Sequence, residues 1–112
     1  MSEEVENGEG EEGEDSVIYI ARNETWDRTR RGARLVLTFD ASRNAFVGTV
    51  ENTTEQTLCA ARVEVHLDSG TELGPTARTD VPSGGTIEAE LLTGGESFET
   101  WTAHPELSSC GS

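Results

Sequence analysis

With 112 residues and 22 acidic groups against 8 basic ones, a formal net charge of −14, the chain is one domain at most and strongly anionic. Such a charge repels nucleic acid and anionic lipid, because phosphate binding needs clustered positive charge, so no nucleic-acid partner is expected. No apolar run approaches the length of about 18 residues that a transmembrane helix needs, so none is expected.

Every basic residue is Arg and none is Lys. This composition fits a high-salt environment and a GC-rich genome equally well. The nearest approach to a basic patch is Arg28, Arg30, Arg31 and Arg34, which Asp27 and the acidic N-terminus offset. Residues 2–15 hold eight carboxylates, three Gly and one aliphatic residue, Val5. Such a segment buries too little apolar surface to offset its ordering entropy, so a disordered acidic tail or linker is expected over residues 1–16. Removing those eight charges leaves 14 acidic against 8 basic groups. The opening stretch has no signal-peptide character. An acidic spacer ahead of a β domain looks like the tether of an exported lipoprotein; the alternative is a cytosolic protein with a solubilising tail.

The β domain is expected over residues 17–107, with a C-terminal tail over 108–112. Val17, Ile18, Tyr19 and Ile20 are strong strand formers, apolar on both faces. Residues 23–32 read as polar and irregular, with Trp26 as an anchor. In the segment from Ala33 to Asp40, Leu35, Leu37 and Phe39 alternate with Arg34, Val36 and Thr38, a strand with odd positions inward. After the turn residues 40–44 comes a second strand, with Phe46 and Val50 on one face. Gly48 in its middle signals a bulge or a close backbone approach.

The clearest strand follows. Cys59, Ala61, Val63, Val65 and Leu67 fall on one face, and Arg62, Glu64 and His66 on the other. One apolar and one solvated face is the mark of an antiparallel sheet against a core. Pro75 limits any strand between Gly70 and Val81 to a short edge. After a turn at residues 82–85, Ile87, Ala89 and Leu91 alternate with Glu88 and Glu90. Phe98 and Trp101 have opposite parity, which calls for a bulge or two-sided burial, and Pro105 is expected to end the last strand. Six to seven short strands divided by turns argue for an all-β, immunoglobulin-like antiparallel β-sandwich, with a small closed barrel as the alternative.

The middle of the chain resembles the bacterial FxLYD domain family on three stretches. Gly48-Thr49-Val50-Glu51-Asn52 fits the family's Gly-x-Val-x-Asn opening. The run from Val63 to Gly70 fits its valine strand and turn, and that from Leu92 to Phe98 its late Leu-x-Pro-Gly-Glu stretch, with Gly94 where Pro is usual. The likeness covers residues 33–104; the aromatic residues of the family name are replaced by Val, His and Leu. The resemblance implies an envelope-associated accessory module without catalytic residues.

Cys59 and Cys110 are the only cysteines, and an even pair in a small exported domain suggests a disulfide. Closing that loop would stabilise the fold by about 3–4 kcal/mol in the chain-entropy model. The alternative is a buried Cys59 and a free tail thiol. A zinc site of Cys59, His66, His104 and Cys110 is disfavoured: Cys59 and His66 have opposite parity, and no Cys-x-x-Cys pair is present. No metal, cofactor or catalytic residue is therefore assigned. The carboxylate pairs Glu88/Glu90 and Glu64/Glu99 are read as ordinary acidic surface rather than a glycosidase site. The run from Asp68 to Glu72 is only a faint calcium loop. The sequons at Asn23 and Asn52 are read as turn chemistry.

The reading expected is a monomeric, non-enzymatic, extracytoplasmic or cell-envelope module, lipid-anchored in a longer gene product, that contacts a protein or envelope component. The edge around Thr76–Thr79 would offer the contact by strand addition. The second reading is carbohydrate or small-ligand binding through exposed Trp26 or Trp101.

Overall fold

The computed structural model describes residues 18–110, where no helix occurs and two antiparallel sheets face each other. The strands are β1 (Ile20–Ala21), β2 (Trp26–Arg30), β3 (Ala33–Asp40), β4 (Ala45–Asn52), β5 (Leu58–Leu67), β6 (Glu72–Leu73), β7 (Thr79–Val81), β8 (Thr86–Leu92) and β9 (Thr100–Ser108). One sheet has the order β2-β3-β4-β8; the other has β1-β9-β5-β6, with β7 also paired to β5. The all-β sandwich expected from the alternation is the fold found. The acidic tail assigned to residues 1–16 lies outside the described residues.

Period-two alternation decides what each sheet turns inward. Leu35 and Leu37 of β3, Phe46 and Val50 of β4, and Ala89 and Leu91 of β8 face Val63, Val65 and Leu67 of β5 and Trp101 and Ala103 of β9. The aromatic rings form a connected group: Phe46 lies 4.6 Å from Trp101 and 5.4 Å from Phe98, centroid to centroid. Gly48 marks a close approach and not a bulge. The β3–β4 register runs unbroken past it, and a Cβ there would collide with the Val36 carbonyl.

Several sequence expectations need correction. Among the described residues the strand around Ile18–Ile20 is the short Ile20–Ala21, with Ile18 and Tyr19 exposed, so it is not a well-covered strand. Residues 26–30, read as irregular, form β2. Only Trp26 of its side chains is buried, so no alternation announced it; its pairing with β3 supplies the order. Phe98 precedes β9, which removes the parity conflict with Trp101.

Pro105 does not end the last strand. It pairs with Val63 inside β9, which continues to Ser108, so the strand extends into the segment read as tail. The backbone N–H of Val63 donates to Thr76 Oγ1 and its carbonyl accepts from the Thr76 N–H, both on the side away from β9. Val63 and Pro105 therefore form a non-hydrogen-bonded pair, and the nitrogen of Pro105 faces away from β5. On that side β1 pairs with Thr100 and Trp101, so among the described residues no ladder bond is lost at Pro105.

Cys59 is the remaining correction. Between Cys59 and Arg62, β5 advances three residues while β9 advances two, from Ser108 to Glu106. The extra residue is a β-bulge at Ala60, with φ of 55°. The N–H of Ala60 is satisfied by the Asp80 carboxylate at 2.8 Å. The bulge moves Cys59 from the inward set to the face of Arg62, Glu64 and His66.

Candidate functional site

The outer face of the β5–β9 pair carries the densest group of chemically capable side chains among the described residues. Alternation turns Arg62, Glu64 and His66 outward on β5. The register sets Arg62 against Glu106, Glu64 against His104, and His66 against Thr102. β6 adds Glu72 beside His66. Two imidazoles thus flank one carboxylate. Glu64 Oε1 lies 3.5 Å from His66 Nε2 and 3.4 Å from His104 Nε2. The two rings stack with centroids 5.3 Å apart and planes 18° from parallel. His104 Nε2 is also 3.3 Å from Glu106 Oε2, and Arg62 Nε donates to Glu106 Oε1 at 3.1 Å.

Covered by these neighbours, Glu64 is only 9% exposed although it points away from the core. Burial, followed by a hydrogen bond to Glu72 and the charges of Glu106 and Glu72, pushes its carboxyl up to about 7. His104 is held below the usual imidazole range, chiefly by burial. The charges of Arg30 and His66 add to this and Glu106 opposes it. Burial raises Glu106, but bonds from His104 and Arg62 outweigh it and leave that carboxyl below its ordinary value. The centre of the face is therefore a carboxyl that loses its proton only around pH 7, beside an imidazole biased toward its neutral form.

The other sequence candidates fall elsewhere. Cys59 and Cys110 form a disulfide, with Cα atoms 5.1 Å apart. This takes both thiols out of the sequence-derived zinc quartet, while His66 and His104 do converge, with Glu64 and not cysteine between them. Trp26 and Trp101 are core residues, 6% and 0% exposed, and their rings lie 6.1 Å apart. Trp101 Nε1 donates to the Ala21 carbonyl at 3.1 Å. Neither indole is available to stack on a sugar or small ligand, which corrects the assignment of both as ligand contacts.

Glu88 and Glu90 are exposed on β8, and Glu90 pairs with Arg43 at 3.0 Å. Glu99 lines a shallow open depression with Arg22, Asp68, Ser69, Ser97 and Phe98. In the faint calcium loop, the Asp68 carboxylate accepts from the Glu99 N–H at 3.1 Å and Thr71 Oγ1 donates to Glu96 at 3.0 Å. Asn52 is buried; its amide donates to the carbonyls of Gln56 and Val81 at 2.7 and 2.8 Å and accepts from the Thr54 N–H at 2.8 Å. That sequon is a structural turn. In the Arg-rich stretch, Arg34 pairs with Asp27 at 2.9 Å and Arg28 lies over the Trp26 ring.

Comparison with known proteins adds no relative: no protein-family model, curated protein or solved structure matches this chain.

Proposed function

We propose that the chain is a non-enzymatic, extracytoplasmic β-sandwich module that contacts a protein or cell-envelope component by strand addition. The Cys59–Cys110 disulfide carries the compartment, because such bonds persist in oxidising surroundings and are rare where thiols are kept reduced. The resemblance to FxLYD domains supports the same class of accessory module.

The contact edge in this reading is β8. Thr76 is committed to Val63 on both its backbone N–H and its hydroxyl, so the Thr76–Thr79 edge is partly used. Among the described residues β8, seven residues long, pairs only with β4. The N–H of Asn52 donates to the Gly85 carbonyl, and hydrogen-bonded pairs alternate from there. The backbone groups of Thr86, Glu88, Glu90 and Leu92 consequently face the open side. Glu88 and Glu90 guard this edge against self-pairing and favour a partner strand with basic side chains.

The test is a titration of backbone amide shifts with fractionated envelope proteins, run on the native chain and on Glu88→Pro. This substitution removes an outward N–H without touching the β4 ladder. Perturbations centred on β8 that vanish in Glu88→Pro support the reading. Perturbations spread evenly over both sheets contradict it.

A further inference from the structure

A carboxylate flanked by two imidazoles on adjacent strands is a donor set that recurs around divalent cations. We propose that Glu64, His66 and His104 form a binding site for one divalent transition-metal cation of the zinc class, with Glu106 or solvent completing the coordination. This inference stands apart from the strand-addition reading and uses the other sheet.

Geometry supports it first. Metal–ligand bonds of about 2.0–2.1 Å in a tetrahedron place neighbouring ligand atoms about 3.3–3.4 Å apart. Glu64 Oε1 lies 3.5 Å from His66 Nε2 and 3.4 Å from His104 Nε2, so two edges of a coordination polyhedron are already set. The three ligand atoms lie within 4.8 Å of one another, and small rotations of the two rings would close the remaining edge. Glu106 Oε2, 3.3 Å from His104 Nε2, is the nearest further oxygen, and Arg62 holds that carboxylate in place.

Electrostatics agrees. Glu64, Glu72 and Glu106 crowd together, and Glu64 bears the strain of burial and like charge. A dication replaces that repulsion with attraction. Two imidazoles select zinc, copper or nickel over calcium and magnesium, which prefer all-oxygen cages. The ligands sit on paired strands of a pinned sandwich, so little ordering is required on binding. The imidazoles are 33% and 27% exposed in their side chains, which leaves an approach from solvent.

The site is tested by titrating Zn²⁺ into the oxidised full chain by calorimetry, with ¹⁵N-histidine ring shifts recorded in parallel. The expected result is a saturable site with one cation per chain, with the Nε2 resonances of both His66 and His104 displaced. Glu64→Gln, His66→Ala and His104→Ala should each weaken it at least about tenfold, the scale on which even supporting residues act. Glu88→Gln and Glu90→Gln should leave it unchanged. The ring shifts need no variant, so a substitution that fails to fold does not blunt the test. Absence of saturable binding overturns the proposal. So does binding that leaves both rings unmoved, which would place the cation on carboxylates elsewhere in the chain.

Discussion

At the scale of the residue, Glu64 is the most perturbed group on the β5–β9 face. Its folded-state carboxyl titrates near 7 against an ordinary value of 4.5, because burial and the neighbouring carboxylates disfavour the anion. A group whose folded value is raised adds stability below its unfolded value and loses it as pH rises through the folded one. In metal-free buffer, stability should therefore fall between about pH 4.5 and 7 on account of Glu64. His104 works in the opposite sense: its lowered value makes protonation on acidification destabilising. Comparison with Glu64→Gln isolates the first effect. Thermal melts with chelator present should show this variant more stable than the parent at pH 8, with the difference closing toward pH 4.5. A constant difference across that range would mean that Glu64 is not the titrating group.

At the scale of the element, the β3–β4 hairpin depends on a single position. Gly48 lies where the backbone of β3 comes so close that no side chain fits. Gly48→Val, which strand propensity alone would favour, should cost about 3 kcal/mol or more, because the collision is with the β3 backbone carbonyl of Val36, which cannot move without breaking the ladder. Urea denaturation monitored by tryptophan fluorescence measures it; an unchanged midpoint would contradict the unbroken register.

What was legible in the sequence divides along the same elements. The alternation of Val63, Val65 and Leu67 against Glu64 and His66 is plain in the text, and so is that of β3 and β8. β2 was hidden because only one of its side chains is buried. Pro105 reads locally as a terminator; what rescues it is the early end of β1 on its open side, a tertiary fact. Half of the candidate site was likewise visible as the Glu64/His66 pair on one face. The arrival of His104 depends on the β9 register, and the departure of Cys59 from the inward set depends on a bulge that a uniform period of two excludes. The sequence leaves the indoles of Trp26 and Trp101 open to ligand contact, with Trp26 also an anchor, and only the packing of the two sheets shows both buried.

At the scale of the whole molecule, the sandwich is small and its aromatic content low, so the covalent cross-link matters. The disulfide closes a separation of 51 residues and joins the start of β5 to the segment beyond β9. In the chain-entropy model it stabilises the fold by about 4 kcal/mol, much of what a domain of this size possesses. Denaturant midpoints for the oxidised chain, the reduced chain and the Cys59→Ala/Cys110→Ala double variant should show a loss of that order, equal in the last two. Equal stability in all three would contradict the stabilisation ascribed to the cross-link.

The pairing of β5 with β9 in the register that sets Glu64 against His104 underlies both the candidate cation site and the cross-link. Cross-strand NOESY contacts between α-protons test it most directly, because α-protons approach closely in non-hydrogen-bonded antiparallel pairs. Strong contacts are expected for Val63–Pro105, Val65–Ala103 and Leu67–Trp101. A ladder displaced by one residue, or α-proton contacts ending before Pro105, would contradict the account and disperse the two histidines and the carboxylate between them.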